Sequence, residues 1–600
     1  MSAEMKGALR LGRRDVVRLF ATAVSGCLPT FALAARSPGS RRFHVSPDGA
    51  DDQDGLAPDR AFRTVAAANA LALQPGDAVL FQRGGVWRET LTLAASGAPN
   101  RPVGFGAFGV GDAPVISGAD SLAATPLLAG GAAIDNAADD GRTRRWVSPV
   151  AGEPSQLFVD GQRGNRVASP AFLSAHRQWC YDATRKHVIV LGQPDGARPE
   201  IEASVRDHAF VARERADFVI DGLRFERGAW HTVLLEGCNR FRISGAVIAD
   251  GFVSGLLASG ERPSTDVDIR GCTIRGCGGS GILLGGDSHR WVIRENLIFD
   301  CCQLHDAVLG PQDKVRQLEW SGGIKAWGWG RAGLQGAVVV ERNRVHHCLP
   351  ADWAGPGSEP HKRGVGIWWD EVVAPRARQV ISRNHVHDCQ SRGIFLEKSD
   401  DCDVDYNLVH DCGQVPYAAG LAIQANAAGW DPVADRAADL PRDARNNRVR
   451  NNTVVGGWWA LETSSRTDGA AVSGNQIVNT IAVNARHQNL YAAGGGSNDR
   501  RHGQDNVYSN NCFGSDGGRM AVWGGARCAR RDELERVSGS AVRNSVAGDP
   551  LFVDPARGNY ELASASPCRG RGLETGLSMD RLGRTLPRPG APDVGCHEEG

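Results

Sequence analysis

GVGIWWDEV (Gly364–Val372), RGIFLEKS (Arg392–Ser399) and AGLAIQAN (Ala419–Asn426) repeat one pattern along the chain. Their glycines at 366, 393 and 420 lie 27 residues apart, and the fifth residue counted from each glycine is Asp370, Glu397 and Gln424. A second ladder runs beside the first: NRVHHC (Asn343–Cys348), NHVHDC (Asn384–Cys389) and NLVHDC (Asn407–Cys412). Self-similarity at this spacing, with short apolar strands in each unit, is the signature of a solenoid. Equivalent positions stack in a solenoid, so acids distant in sequence become neighbours in space.

Outward from these units the same alternation of apolar and polar residues continues. FVIDGLRF, FRISGAVI, VDIRGCTI, WVIRENLI, VVVERNRV, VISRNHVH, CDVDYNLV, RVRNNTVV and AVSGNQIV all carry it, in steps of 22–27 residues wherever no insertion intervenes. An Asn column (Asn296, Asn343, Asn384, Asn407, Asn452, Asn475) is expected to stack at one turn, its amides bonding up and down. Gly 75 against Tyr 6, with no long 3.6-period stretch, points to an all-β chain rich in tight turns. The formal net charge is +0 and no basic stripe appears, which argues against nucleic acid as a partner.

The first 35 residues read as an export signal. Arg13-Arg14 precedes an apolar run from Val16 to Ala35, and Ala32-Leu33-Ala34 supplies small residues for cleavage. GRRDVVR resembles a twin-arginine signal, with Gly12 and Val16-Val17 departing from the usual pattern. VSGC (Val24–Cys27) resembles a lipobox and offers Cys27 as a lipid anchor point. No other stretch approaches the ~20 apolar residues of a membrane span, so the mature protein is expected in the periplasm or outside the cell. Of the 15 cysteines, Cys277, Cys301, Cys348, Cys389 and Cys412 follow one ladder position by five residues. They read as small stacked core residues rather than disulfide or metal partners.

Residues 42–120 read as an N-terminal cap with the first rungs, including an apolar helix near Ala61–Ala72 over the open end. The Asp cluster at 48–54 lacks EF-hand spacing and reads as turn chemistry. Residues 121–205 are irregular, with a hairpin in WCYDATRKHVIVL (Trp179–Leu191); 206–545 form the main coil and 546–600 a C-terminal cap or tail. The cap, the rungs and the tail DPLFVDPARGNYELASASPCRGRG resemble right-handed parallel β-helix proteins of the pectate-lyase-like superfamily. The resemblance implies that fold over nearly everything after the signal. It implies a polysaccharide or oligosaccharide partner without naming the chemistry, because lyases, glycosidases, epimerases and tailspikes share the fold.

On the strand after each Asn turn, Ile282, Ile324, Ile367, Ile394 and Leu421 are expected inside. Two columns then face outward: Leu283, Lys325, Trp368, Phe395 and Ala422 in one, Gly285, Trp327, Asp370, Glu397 and Gln424 in the other. WALETS (Trp459–Ser464) resembles IFLEKS and is expected to add Glu462 to the second column, with Ala460 in the first. Adjacent strands lie about 4.8 Å apart, which suits carboxyl groups about 5–5.5 Å apart in a retaining glycosidase. Glu397 with Glu462, two rungs apart, approaches the wider spacing of an inverting one. The adjacent pair is the first choice, with Asp370 as nucleophile and Glu397 as acid/base. Stacking raises the pKa of one of the two.

Trp320, Trp327, Trp329, Trp353, Trp368, Trp430 and Trp458 lie on or beside these rungs, and indoles stack on sugar rings. Insertions at Cys301–Gly322, Leu349–Gly364 and Gly413–Ala419 interrupt one turn and should build a groove wall; Asn426–Asn446 should build the other. Glu319, His361, Lys362 and Arg363 on those loops are candidate substrate contacts. The rival chemistry is β-elimination on uronate polymers, with Lys325 as base and Asp370, Glu397 and Glu462 holding Ca²⁺. Under the hydrolase reading no metal or cofactor is needed. His346, His387 and His410 form another column that reads as a surface ladder before a metal site. A non-catalytic sugar-binding or adhesion solenoid is the third reading.

Overall fold

The computed structural model describes residues 39–598 except 128–144, 260–261, 286–287, 319, 329–335, 356–359, 373–376, 427–429, 432–435, 438–442, 467–469, 494–504 and 587–590. The segment 1–35 expected to be an export signal, with Cys27, lies outside them, as do Glu319 and Trp329. Within them the chain coils through three long sheets of 14, 13 and 11 strands. One turn shows the pattern: Gln379–Ser382, His385–His387 and Ile394–Glu397 enter the 14-, 11- and 13-stranded sheets in that order. Successive turns pair in parallel, because each strand meets its counterpart one circuit later. The 13-stranded sheet ends in an antiparallel hairpin, Ala521–Trp523 with Ala526–Cys528.

Inward side chains form one continuous core. Ile282, Ile324, Ile367, Ile394 and Leu421 are fully buried in it, as are Trp291 and Trp369. The repeated glycine follows from the closeness of that packing. A Cβ at Gly393 would lie 2.3 Å from Val409 Cγ1 and 2.7 Å from the Gly420 carbonyl oxygen. At Gly366 the same atom would meet Val386 Cγ1 at 2.3 Å and the Gly393 oxygen at 2.5 Å.

Asparagines stack at two corners rather than one. In the first ladder Asn296, Asn343, Asn384 and Asn407 each donate from Nδ2 to the next Oδ1, ending at Asn452, at 2.9–3.0 Å. Asn475 belongs to a second ladder with Asn447 and Asn506, at the corner before the 14-stranded sheet. The place after Asn452 is taken by Thr480. Both corners read N-x-apolar in sequence, which is why they looked like one column. Fourteen cysteines are buried and free. Cys277 meets Cys301, while Cys348, Cys389 and Cys412 meet in turn along an inner corner.

The cap helix is Val65–Asn69, shorter than the Ala61–Ala72 segment expected. Phe62 is held extended by a bridge to Val45, and Thr64 Oγ1 then caps the Ala67 N–H at 3.1 Å. Asp51 accepts from the backbone of Arg63 and Thr64, which is turn chemistry. The described strands between 121 and 205 lie outside the three long sheets. Gln178–Asp182 and His187–Leu191 pair as an antiparallel hairpin, and Trp146, Leu157, Trp179 and Val190 close a separate small core. At the other end the tail folds back: Cys596 N–H donates to Thr453 Oγ1 at 3.0 Å, and Tyr406 Oη donates to Glu598 at 3.2 Å.

Candidate active site

The outer face of the 13-stranded sheet carries the two expected columns. Lys325 pairs with Trp368, Trp368 with Phe395, and Phe395 with Ala422. In the other column Trp327 pairs with Asp370, Asp370 with Glu397, and Glu397 with Gln424. Parallel register therefore seats the two acids on neighbouring strands of one face, at the ordinary spacing of about 4.8 Å between strands. Outward does not mean solvated here. Asp370 and Glu397 are only 5% and 2% exposed, because Trp368, Phe395, Ala419, Ala422 and Trp459 form an apolar patch across the same face.

Asp370 lies between two ammonium groups. Lys325 Nζ is 3.1 Å from its carboxylate and Lys398 Nζ 3.7 Å. Lys325 rests 3.6 Å over the Trp368 ring and donates to the Trp320 carbonyl at 2.9 Å, so its position is fixed from three sides. Burial lowers the Lys325 pKa while Asp370 opposes the change. Lys398 follows Glu397 with a left-handed backbone (φ 50), as Glu371 follows Asp370 (φ 60). The two pair with each other beside the acids. Burial works against charge on Lys398, yet Asp370, Glu397 and Glu371 together raise its pKa. Glu397 shifts the other way for an acid. Burial first, and the charge of Asp370 second, raise it above the ordinary carboxylate range. Its one described side-chain partner is Asn426, whose Nδ2 stands 3.4 Å from Oε1. One carboxylate between cations and another biased toward its protonated form are the pair that acid-assisted nucleophilic substitution needs.

Glu462 is not in the acid column. Leu461 pairs with Leu421 and Glu462 with Ala422, so Glu462 follows Phe395 and Ala422 in the first column and Ser464 pairs with Gln424. It is fully buried and bound by Arg392 and Arg466 at 3.2 Å each, Ser464 at 2.7 Å and the Gln424 amide at 3.0 Å. Those partners hold its pKa down although burial acts to raise it. Glu462 thus anchors Gln424 and Arg392 rather than standing free for chemistry. The remaining sites disperse. Trp327 is half-buried beside Asp370, and Trp368 is buried under Lys325. His361 meets the site through its backbone, its carbonyl accepting from Arg392 at 2.8 Å. Arg363 is buried and paired with Asp306, which ties the two wall loops together. Trp353, 38% exposed, lines a different cavity. Lys398, Glu371 and Arg392 were not singled out from sequence. The available signal was that Lys325, Lys362 and Lys398, three of only six lysines, fall around this face.

The histidine column stacks as a ladder, His346 on His387 at 4.8 Å and His387 on His410 at 5.0 Å. His347, His387 and Asp388 bring potential ligand atoms within 4.8 Å of one another. Both ring nitrogens of His387 are already engaged, one by Asp388 at 2.6 Å and one by Arg344 at 3.1 Å.

Residues 207–367 match the family described as right handed beta helix region. The coil is a right-handed parallel β-helix. Similar solved structures include XylC in complex with xylose, with a TM-score of 0.61 and 14% identity over 93% of this chain and 98% of that one. A GH136 lacto-N-biosidase from Eubacterium ramulus gives 0.41 at 15% identity, over 75% and 64% of the two chains. Pectate lyase Pel9A gives 0.40 at 12% identity, over 93% and 96%. At these identities the likeness is one of fold. No curated protein sequence matches the chain. Among the described residues no helix is long and apolar enough to cross a membrane.

Proposed function

We propose that this chain is an exported carbohydrate-active enzyme, a glycoside hydrolase in which Asp370 is the nucleophile and Glu397 the acid/base. The observation that carries the reading is the register pairing of Asp370 with Glu397 on one buried face, with Lys325 and Lys398 both against Asp370 and Lys398 also paired with Glu371. Side chains on adjacent strands fit the short carboxyl separation of a retaining mechanism. In the first step an Asp370 oxygen bonds to the anomeric carbon while Glu397 gives its proton to the departing glycosidic oxygen. In the second, Glu397 takes a proton from water, whose oxygen displaces Asp370 from the same carbon. Trp327, half-buried in register with Asp370, offers a ring face to the sugar. XylC is solved with xylose, which makes xylosides the first substrates to test.

Elimination remains the second reading because burial lowers the Lys325 pKa, as a basic amine at neutral pH requires. Its expected calcium ligands do not gather, since Glu462 is held by two arginines in another column. Incubation with a polysaccharide panel, following reducing ends and ultraviolet absorbance together, separates the chemistries. Hydrolysis yields reducing ends without absorbance. An absorbance rise from unsaturated uronate replaces the hydrolase with the lyase, and neither signal on any polymer favours a binding solenoid.

A further inference from the structure

A cavity of about 130 Å³ lies where the 121–205 insertion meets the loops after Cys301 and Leu349. Its wall includes Arg163, Arg166, Gln156, Trp179 and Trp353 with Phe252 and Leu304, and no carboxylate is among the described residues that line it. The polar groups are held rigidly and left incomplete. Arg163 Nη2 donates to the Gly251 and Gly276 carbonyl oxygens, yet its Nε and Nη1 are buried without partners. Gln156 commits its amide nitrogen to Ser204, Gly228 and Asp250, leaving Oε1 buried and unbonded. Arg166 is paired with Glu153 at 2.7 Å and stacked 5.2 Å over Trp179, and its Nη1 also lacks an acceptor. Buried donors without acceptors are costly, and two guanidinium groups in the wall of one cavity suit an oxyanion. The indoles of Trp179 and Trp353 in the same wall ask for a flat apolar surface.

We infer that this cavity binds an anionic sugar unit, a uronate or sulfated residue, of the polysaccharide handled at the acid pair. The inference rests on the proposed carbohydrate activity, and the wall between the two places supports it. Ala354 in the cavity wall accepts from His305 at 2.5 Å, and Asp306, next to it, pairs with Arg363. Two residues before Arg363, the His361 carbonyl accepts from Arg392, which pairs with Glu462. The class of substrate implied is a heteropolymer with acidic substituents rather than a neutral homopolymer.

Binding is measured without turnover, on the full chain carrying Glu397→Gln. Titration calorimetry compares neutral xylo-oligosaccharides, the same oligomers bearing glucuronate, and a sulfated oligosaccharide. An anionic oligomer is expected to bind about tenfold tighter than the neutral one, and whichever anion binds tighter names the group. Adding Arg163→Gln should remove that advantage. Because Arg163 also bridges two backbone carbonyls, Arg166→Gln and Trp353→Ala are tested separately, and each should weaken the charged oligomer by about three- to tenfold. Equal affinity for charged and neutral oligomers overturns the inference, as does unchanged binding in all three variants. Failure of hydrolysis in the polysaccharide panel would leave these binding results intact, so the two readings fail separately.

Discussion

Asp370 and Glu397 share a sheet face but not an environment, and their assigned roles follow from that difference. Two ammonium groups flank Asp370, whereas burial and the Asp370 charge raise the Glu397 pKa. Glu397→Gln should cut polymer cleavage by about 10²–10⁴-fold, and Asp370→Asn by at least about 10³-fold, with the melting temperature of each variant as a control for folding. The pH dependence has a definite sign. Activity needs protonated Glu397, so kcat/KM falls as pH rises through a value above the ordinary 4.5, and that limb should vanish in Glu397→Gln. Stability moves the same way. Above 4.5 the unfolded chain has released this proton while the folded chain keeps it, so the contribution of Glu397 is lost as pH rises through its folded value. Urea unfolding of wild type and Glu397→Gln across pH measures the difference.

At the scale of the element, glycine and asparagine carry the coil. Gly393→Ala places a methyl group 2.3 Å from Val409 and 2.7 Å from a backbone oxygen, and should destabilise by about 3 kcal/mol or more. Asn384 donates to Asn407 and Val340 and accepts from Asn343. Asn384→Ala takes the acceptor from the Asn343 N–H and the side-chain donor from the Val340 carbonyl, a loss of about 2–4 kcal/mol by denaturant unfolding. The glycine spacing of 27 residues made the register of Asp370 with Glu397 legible before any coordinates. Glu462 was misplaced by two residues for a physical reason. In WALETS the position matching Leu396 is Thr463, not Leu461, and an inward Thr is hidden from hydrophobic pattern reading. The core tolerates it because Thr463 Oγ1 shares a hydrogen bond with Tyr508 Oη at 2.6 Å. Lys398 was missed because alternation says nothing about a residue that leaves the strand at positive φ.

Across the whole molecule, the fold was legible because one solenoid repeat, once recognised, organises most of the chain. The insertion at 121–205 was not, since its pairings are antiparallel and lack a repeat. Stacked thiols give the coil a testable property: all fourteen described cysteines are free. Reductant should leave the unfolding midpoint unchanged, and a thiol reagent should label the chain extensively only after denaturation. A midpoint lowered by reductant would point to disulfides instead. The account as a whole turns on a division of labour between two carboxyl groups, and activated substrates expose it most directly. A panel of dinitrophenyl glycosides, whose leaving group needs no proton, is given to wild type, Asp370→Asn and Glu397→Gln. Glu397→Gln is predicted to keep a rapid first release of dinitrophenolate, while Asp370→Asn loses it. Release by Asp370→Asn at the wild-type rate would contradict the account.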